Sequence, residues 1–193
     1  MAVAQERAVL AGVALVDAPV SRGVPGAQAG TLTLMVGGDD AAAIERAWPV
    51  LQTMGAKLFR TGASGSGDTM KALNNFIAAA NFRAVSEALA MGIKFGLDPN
   101  LIVDILNVST GRSFTSEGAF KTQVLTGKYA AGFTVGLLAK DVKIASDLAG
   151  ELGIMAPMCS VVYNAFAHAR EGLGYSADFT AAHKYWIAGT AKS

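Results

Sequence analysis

Lys71 and Asn75 stand four residues apart at the start of a long apolar segment, directly behind the glycine-rich run Gly62-Ala-Ser-Gly-Ser-Gly-Asp-Thr-Met. Residues four apart share one face of a helix. A cation in the first turns of a helix meets the positive end of the macrodipole, which is a poor place for a structural lysine and a good one for a lysine that must give up its proton readily. A lysine of this kind, with an amide one turn on to hold the reacting group in line, suits general acid–base chemistry. To serve at neutral pH its ammonium has to fall well below the ordinary value of about 10.4, a change worth about 4 kcal/mol, and a dry, closed cleft must supply most of it. The plain alternative is a solvated lysine beside a capping asparagine.

A second candidate lies upstream. In Asp17-Ala-Pro-Val-Ser-Arg-Gly23 a hydroxyl, a guanidinium and backbone N–H groups follow a proline-containing strand end, a combination able to grip a carboxylate. An ordinary β-turn would show the same residue types. Lys140 precedes Lys143, Asp147 and Glu151 at helical spacing, so periodicity alone places it on a solvated face.

Composition narrows the choices. The chain has 193 residues and is 52% hydrophobic, enough for a sizeable core and too apolar for a disordered protein. Its 16 basic and 15 acidic side chains are interspersed, and this balance lacks the basic stripe that nucleic acid requires. The single cysteine, Cys159, lies in the apolar run Met155-Ala-Pro-Met-Cys-Ser-Val-Val and reads as a small buried hydrophobe in a reducing compartment. His168 and His183 are not spaced as a metal pair, so no metal is expected. Charges or glycines interrupt the apolar runs before membrane-spanning length, and the N-terminus lacks a charged segment followed by an apolar core. A cytoplasmic protein with neither a membrane nor a nucleic acid as partner is the expectation.

Positioning these residues requires two kinds of element. Val13–Asp17, Thr31–Val36 and Lys57–Thr61 are short β-favouring runs, and between the last two Asp39 is placed to cap a helix carrying Ile44, Ala47, Trp48 and Leu51. From Asp68 the strand signals stop. Helical segments follow, separated at Asp98-Pro99, Ser109–Gly111, Gly127–Gly132, Gly153–Pro157 and Gly172–Gly174. The segment from Asp68 to Phe95, with Leu73, Ile77, Ala80, Ala84, Val85, Leu89 and Ile93, reads as a helix buried all round and about 40 Å long. A helix of that length outruns a small domain and is expected to meet another subunit. Residues 1–65 thus form an α/β part and residues 66–193 an all-helical part, divided at the glycine-rich turn, which is also the hinge candidate.

Taken in order, Val16–Gly23, Ala29-Gly-Thr-Leu-Thr-Leu-Met-Val-Gly-Gly38, the Lys71–Asn75 helix and Leu137-Leu-Ala-Lys-Asp141 resemble the motifs of the β-hydroxyacid dehydrogenases, and within them the 3-hydroxyisobutyrate dehydrogenase branch, over residues 12 to 185. The resemblance implies a remnant of a doubly wound, Rossmann-type domain followed by an all-α domain like the C-terminal domain of 6-phosphogluconate dehydrogenase. It implies NAD or NADP as cofactor, a small hydroxy acid as substrate, and a homodimer or homotetramer formed through the helices. It casts Lys71 as the catalytic lysine, Asn75, Ser21 and Gly23 as substrate-binding, and Phe133 and Lys140 as residues near the nicotinamide. Where the family has a second glycine between Ser21 and Gly23 this chain has Arg22, either a second carboxylate clamp or a side chain turned outward by a backbone that resists positive φ. Asn107–Phe114 resembles the family's substrate-side connection.

The family's opening strand, Gly-x-Gly-x-x-Gly turn and helix have no counterpart in the 193 residues, and residues 1–10 read as the end of a helix that would follow them. Two expectations follow. The chain is the substrate and proton-transfer portion of an oxidoreductase, or it is an inactive dimerisation and substrate domain that binds dinucleotide weakly at best.

Overall fold

The computed structural model describes residues 6–8 and 10–190, without the side chains of 189 and 190. The chain forms two compact units, Met1–Leu73 and Asn74–Ser193. Of the helix expected over residues 1–10, positions 6–8 and 10 are helical and the remainder lies outside the described residues.

The first unit is built on a three-stranded sheet in the order β1 (Val20–Ser21), β2 (Leu32–Gly37), β3 (Gly55–Gly62). Strand β1 runs antiparallel to β2, and β2 runs parallel to β3. Helix α1 (Gly23–Gln28) joins β1 to β2, and α2 (Ala41–Met54) makes the crossover to β3. Leu32, Leu34, Val36 and Ile44 form the core of this unit, with Trp48 and Leu51 packed against it.

Two sequence expectations need correction here. Val13–Asp17 is not a strand. Pairing with β2 begins only at Asp17, which bridges to Gly37, and is interrupted at Pro19, whose missing N–H cannot donate to a ladder. The cap of α2 is Asp40, whose carboxylate accepts from Ala43 N at 3.0 Å, while Asp39 turns to accept from Ser64 N.

Helix α3 (Ser66–Phe95), 30 residues long, begins in the first unit and continues into the second. After it come α4 (Pro99–Asn107), a π-helix (Ser116–Val124), α5 (Val135–Glu151), α6 (Pro157–Leu173), a 3₁₀ turn (Phe179–Ala181) and α7 (Ala182–Thr190). The breaks fall at the expected Gly, Pro and Asp positions. Asp98 caps α4 by accepting from Leu101 N at 2.9 Å, with Pro99 in the first turn, where its lack of an N–H costs nothing.

The second unit packs around three fully buried rings, Phe82, Phe120 and Phe166. Phe82 lies 4.8 Å from Phe120 and 5.0 Å from Phe179, in tilted and edge-on arrangements that suit the ring quadrupoles. Arg83 stacks its guanidinium 4.3 Å from the Trp186 ring and pairs with Glu87, so that one side chain covers the aromatic cluster and keeps its charge at the surface.

Helix α3 is not buried all round. Ala79, Phe82, Val85 and Leu89 face the core, whereas Leu73, Ile77, Met91 and Ile93 are exposed, Ile77 by 55%. The apolar surface therefore divides between an inner stripe and an outer one, and together they give this helix the length and composition of a membrane span, contrary to the expectation that no segment reaches them. Asp68, Lys71, Arg83, Glu87 and Lys94 punctuate it.

His183 is 5% exposed, with its ring edge-on to Phe120 and Nδ1 without a partner. Burial lowers its pKa from 6.5 to about 4. Between those values the unfolded chain takes up a proton that the folded chain refuses, so the folded state is fully stable above about pH 6.5 and loses stability as the pH falls towards 4, by up to about 3 kcal/mol. Urea unfolding at pH 8, 6 and 4 should show this slope, and His183→Phe should flatten it; an unchanged slope in that variant would mean that other groups carry it.

Candidate active site

In the first unit Ser21 ends β1 and Gly23 opens α1 with φ +60°. Arg22 between them holds φ 90° and ψ 3°, the left-handed region, so the turn keeps a glycine-like backbone and stores roughly 1–2 kcal/mol of strain. The arginine is exposed, and its stem lies over Gly26, where an added Cβ would come within 2.6 Å of the Arg22 Cβ.

Lys71 lies in the second turn of α3 and is half-buried. The start of that helix is closed from within the unit. The Asp17 carboxylate accepts from Gly65 N at 2.8 Å, Gly67 N at 2.8 Å and Asp68 N at 3.2 Å. The bare helix end invoked for the lysine ammonium is therefore not what the first unit presents: a buried carboxylate offsets the dipole there. The glycine-rich turn is also tied at more amides than a free hinge would be, through Asp17 and through Asp39 on Ser64 N.

In the second unit Asn75 is 7% exposed, and its Nδ2 donates to Asp141 Oδ2 at 2.6 Å. The other carboxylate oxygen, Oδ1, receives the Lys140 ammonium at 2.8 Å. Asp141 thus joins two residues singled out in the sequence, Asn75 from α3 and Lys140 from α5. A carboxylate only accepts, so it fixes the amide with its nitrogen inward and Oδ1 turned towards Asn74, which donates to it at 3.1 Å. Asn75 consequently has its orientation locked by a buried charge.

Phe133 precedes the Thr134 cap of α5 and is half-buried, its ring 6.4 Å from Phe179. Its carbonyl accepts from Phe179 N, and Val135 N and Gly136 N donate to the carbonyls of Ala177 and Tyr175, so the start of α5 is sealed by the 175–179 segment. Between α4 and the π-helix, Ser113 and Ser116 exchange hydrogen bonds, Arg112 pairs with Glu117 at 2.7 Å, and Phe114 stands exposed. Cys159 is buried, and burial pushes its thiol up.

The residues that could hold a dinucleotide fit one end of it. An exposed cation and a half-buried ring at the start of α5 suit the nicotinamide side. The pyrophosphate side has no counterpart at the glycine-rich turn, because Asp17 already occupies those amides.

Residues 65–186 match the family described as "NAD-binding of NADP-dependent 3-hydroxyisobutyrate dehydrogenase", and residues 2–62 the "NAD binding domain of 6-phosphogluconate dehydrogenase". The chain is 38% identical over 176 residues to 2-(hydroxymethyl)glutarate dehydrogenase of Eubacterium barkeri, covering 91% of this chain and 58% of that protein. It is 37% identical over 183 residues to 3-hydroxyisobutyrate dehydrogenase of Pseudomonas aeruginosa, covering 89% and 61%. Among solved structures, Mycobacterium tuberculosis 3-hydroxyisobutyrate dehydrogenase with L-serine superimposes with a TM-score of 0.83 at 31% identity, over 98% of this chain and 65% of that one. The fold and the ordered motifs are therefore those that the two family models describe. This chain belongs to the β-hydroxyacid dehydrogenase family, in its 3-hydroxyisobutyrate dehydrogenase branch, and spans about three-fifths of the length of the curated relatives it matches.

The Arg22 turn makes a local claim that can be checked without activity. Gly26→Ala should destabilise the chain by about 1–3 kcal/mol, because the new methyl overlaps the Arg22 stem. In an Arg22→Gly background the same change should cost at least about 1 kcal/mol less, since the overlapping atoms are gone. Additive costs in a double-mutant cycle would place the arginine stem elsewhere.

Proposed function

We propose that this chain carries the substrate-binding and proton-transfer groups of an NAD(P)-dependent oxidoreductase that interconverts a small 3-hydroxy acid and its semialdehyde. The observation that supports this most is the Asn75–Asp141–Lys140 chain of contacts, which locks the orientation of an amide one helical turn from Lys71. The names of the relatives, which are dehydrogenases of small hydroxy acids, point the same way.

NAD or NADP supplies the hydride acceptor. The remaining work belongs to side chains of the protein. Lys71 Nζ takes the hydroxyl proton in oxidation and returns it to the carbonyl oxygen in reduction. Asn75 donates its second Nδ2 proton to the substrate oxygen, whether hydroxyl or carbonyl, and so holds it in line. The Ser21 hydroxyl, the Arg22 guanidinium and the Gly23 N–H bind the substrate carboxylate, the guanidinium through two parallel hydrogen bonds. Phe133 and Lys140 line the nicotinamide side. The exposed stripe of α3, with Ile77, Met91 and Ile93, is the surface through which two or four copies associate.

The test is an assay of the chain as it stands and of the chain fused to the part of the P. aeruginosa relative that it does not match, with both nucleotides. The fusion should oxidise 3-hydroxy acids, and sedimentation should show a species larger than a monomer. Lys71→Ala should lower kcat at least about a hundredfold; a loss of tenfold or less removes Lys71 from the chemistry. Arg22→Gly should reorder KM values among hydroxy acids much more than it changes kcat for the best of them, and an unchanged order would mean that the arginine points away. A folded, oligomeric and inert fusion would favour the second reading, a dimerisation and substrate domain.

A further inference from the structure

We infer that Asp17 is a positioning residue for Lys71: its carboxylate rivets the first turn of α3 to the segment that leads into Ser21–Gly23, so that the lysine and the carboxylate-binding turn are held as one block. This rests on the role proposed above for Lys71. The geometry is independent of that role.

Asp17 is locked at both ends. Its backbone exchanges two hydrogen bonds with Gly37 of β2, Asp17 N to Gly37 O at 3.0 Å and Gly37 N to Asp17 O at 2.8 Å. Its side chain, 7% exposed, takes the Gly65, Gly67 and Asp68 amides, which are donors that a helix start leaves without partners. A buried carboxylate with several N–H donors is a strong, charge-assisted arrangement, whereas one deprived of them is costly.

The neighbours are shaped around it. A Cβ on Gly67 would fall 2.6 Å from Asp17 Oδ2 and 2.3 Å from the Met35 carbonyl oxygen, and a Cβ on Gly37 would fall 2.7 Å from Asp17 Oδ1 and 2.7 Å from Ser66 Oγ. Strand and helix approach this closely because neither carries a side chain there. Ser66 Oγ completes the joint with Thr61 Oγ1 at 2.8 Å. Asp68 precedes Lys71 by three residues, about 4.5 Å of helix rise, so the lysine stands on the turn directly after the one that the carboxylate fixes. Two residues beyond Asp17, the Pro19 carbonyl accepts from Met35 N, and Ser21 pairs with Thr33, which extends the same attachment to the candidate clamp.

The experiment is amide hydrogen exchange by NMR on the 193-residue chain, comparing wild type, Asp17→Ala and the isosteric Asp17→Asn, with Ile44→Val as a control for general loss of stability. Exchange at Gly65, Gly67, Asp68 and on through Lys71 should quicken by at least about tenfold more than at Leu34 and Val36 of β2. Acetate or formate, which can refill the vacated donors of Asp17→Ala, should restore protection at those amides and not elsewhere. Uniform quickening as in the control, or no response to either anion, would overturn the inference and leave Asp17 a contributor to stability alone. If Asp17→Ala does not fold, the same local comparison is made on Asp17→Asn, where equal protection at the helix start and in β2 overturns it. Lys71→Ala kinetics decide separately whether the lysine transfers a proton, so the two failures are distinguishable.

Discussion

A helix that starts against a sheet presents several amide hydrogens to a region from which water is largely removed, and each must find an acceptor. In this chain the acceptor is a carboxylate supplied by a residue about fifty positions earlier in sequence. The consequences spread outward from that contact. The glycine-rich turn, which could have cradled a phosphate, is filled by the protein's own charge. The β2 strand and the helix are brought to a distance that only glycine at positions 37 and 67 allows.

The second unit uses the same device for a different end. Asp141 is as deeply buried as Asp17, and its two oxygens receive an amide from α3 and an ammonium from its own sequence neighbour. A buried carboxylate flanked by one charge and one dipole is close to balanced, which makes the orientation of Asn75 a matter of electrostatics rather than of packing. Side chains that act on substrates need this kind of support, because a free amide would sample both of its flips.

Much of the architecture was legible from residue order. Asp98-Pro99 announced a helix start, the Gly and Pro clusters announced the breaks, and the lysine and asparagine were placed on one helix by spacing alone. What escaped was contact at long range. The partners of Asp17 lie 48 to 51 positions away and are backbone atoms, and the partner of Asn75 lies 66 away, so no local pattern marks either. Val13–Asp17 looked like a strand because its composition is β-favouring, but composition does not say where a ladder begins. Helix α3 looked buried on every side because Leu73, Ile77 and Ile93 are large and apolar, yet the single chain leaves them uncovered.

Two tyrosine rings in the second unit sit on bare backbone. Tyr175 covers Gly136 and Tyr185 covers Gly172, each ring so close that a methyl at the glycine would overlap it by more than an ångström. The paired positions lie far apart in sequence yet cannot drift separately. A lineage that acquires alanine at 136 must first have lost the ring at 175, and one that loses the ring first exposes the amide seal at the start of α5 during the interval. Descendants of this chain should therefore carry glycine with tyrosine, or a small residue with a smaller partner, and intermediates between the two states should be short-lived.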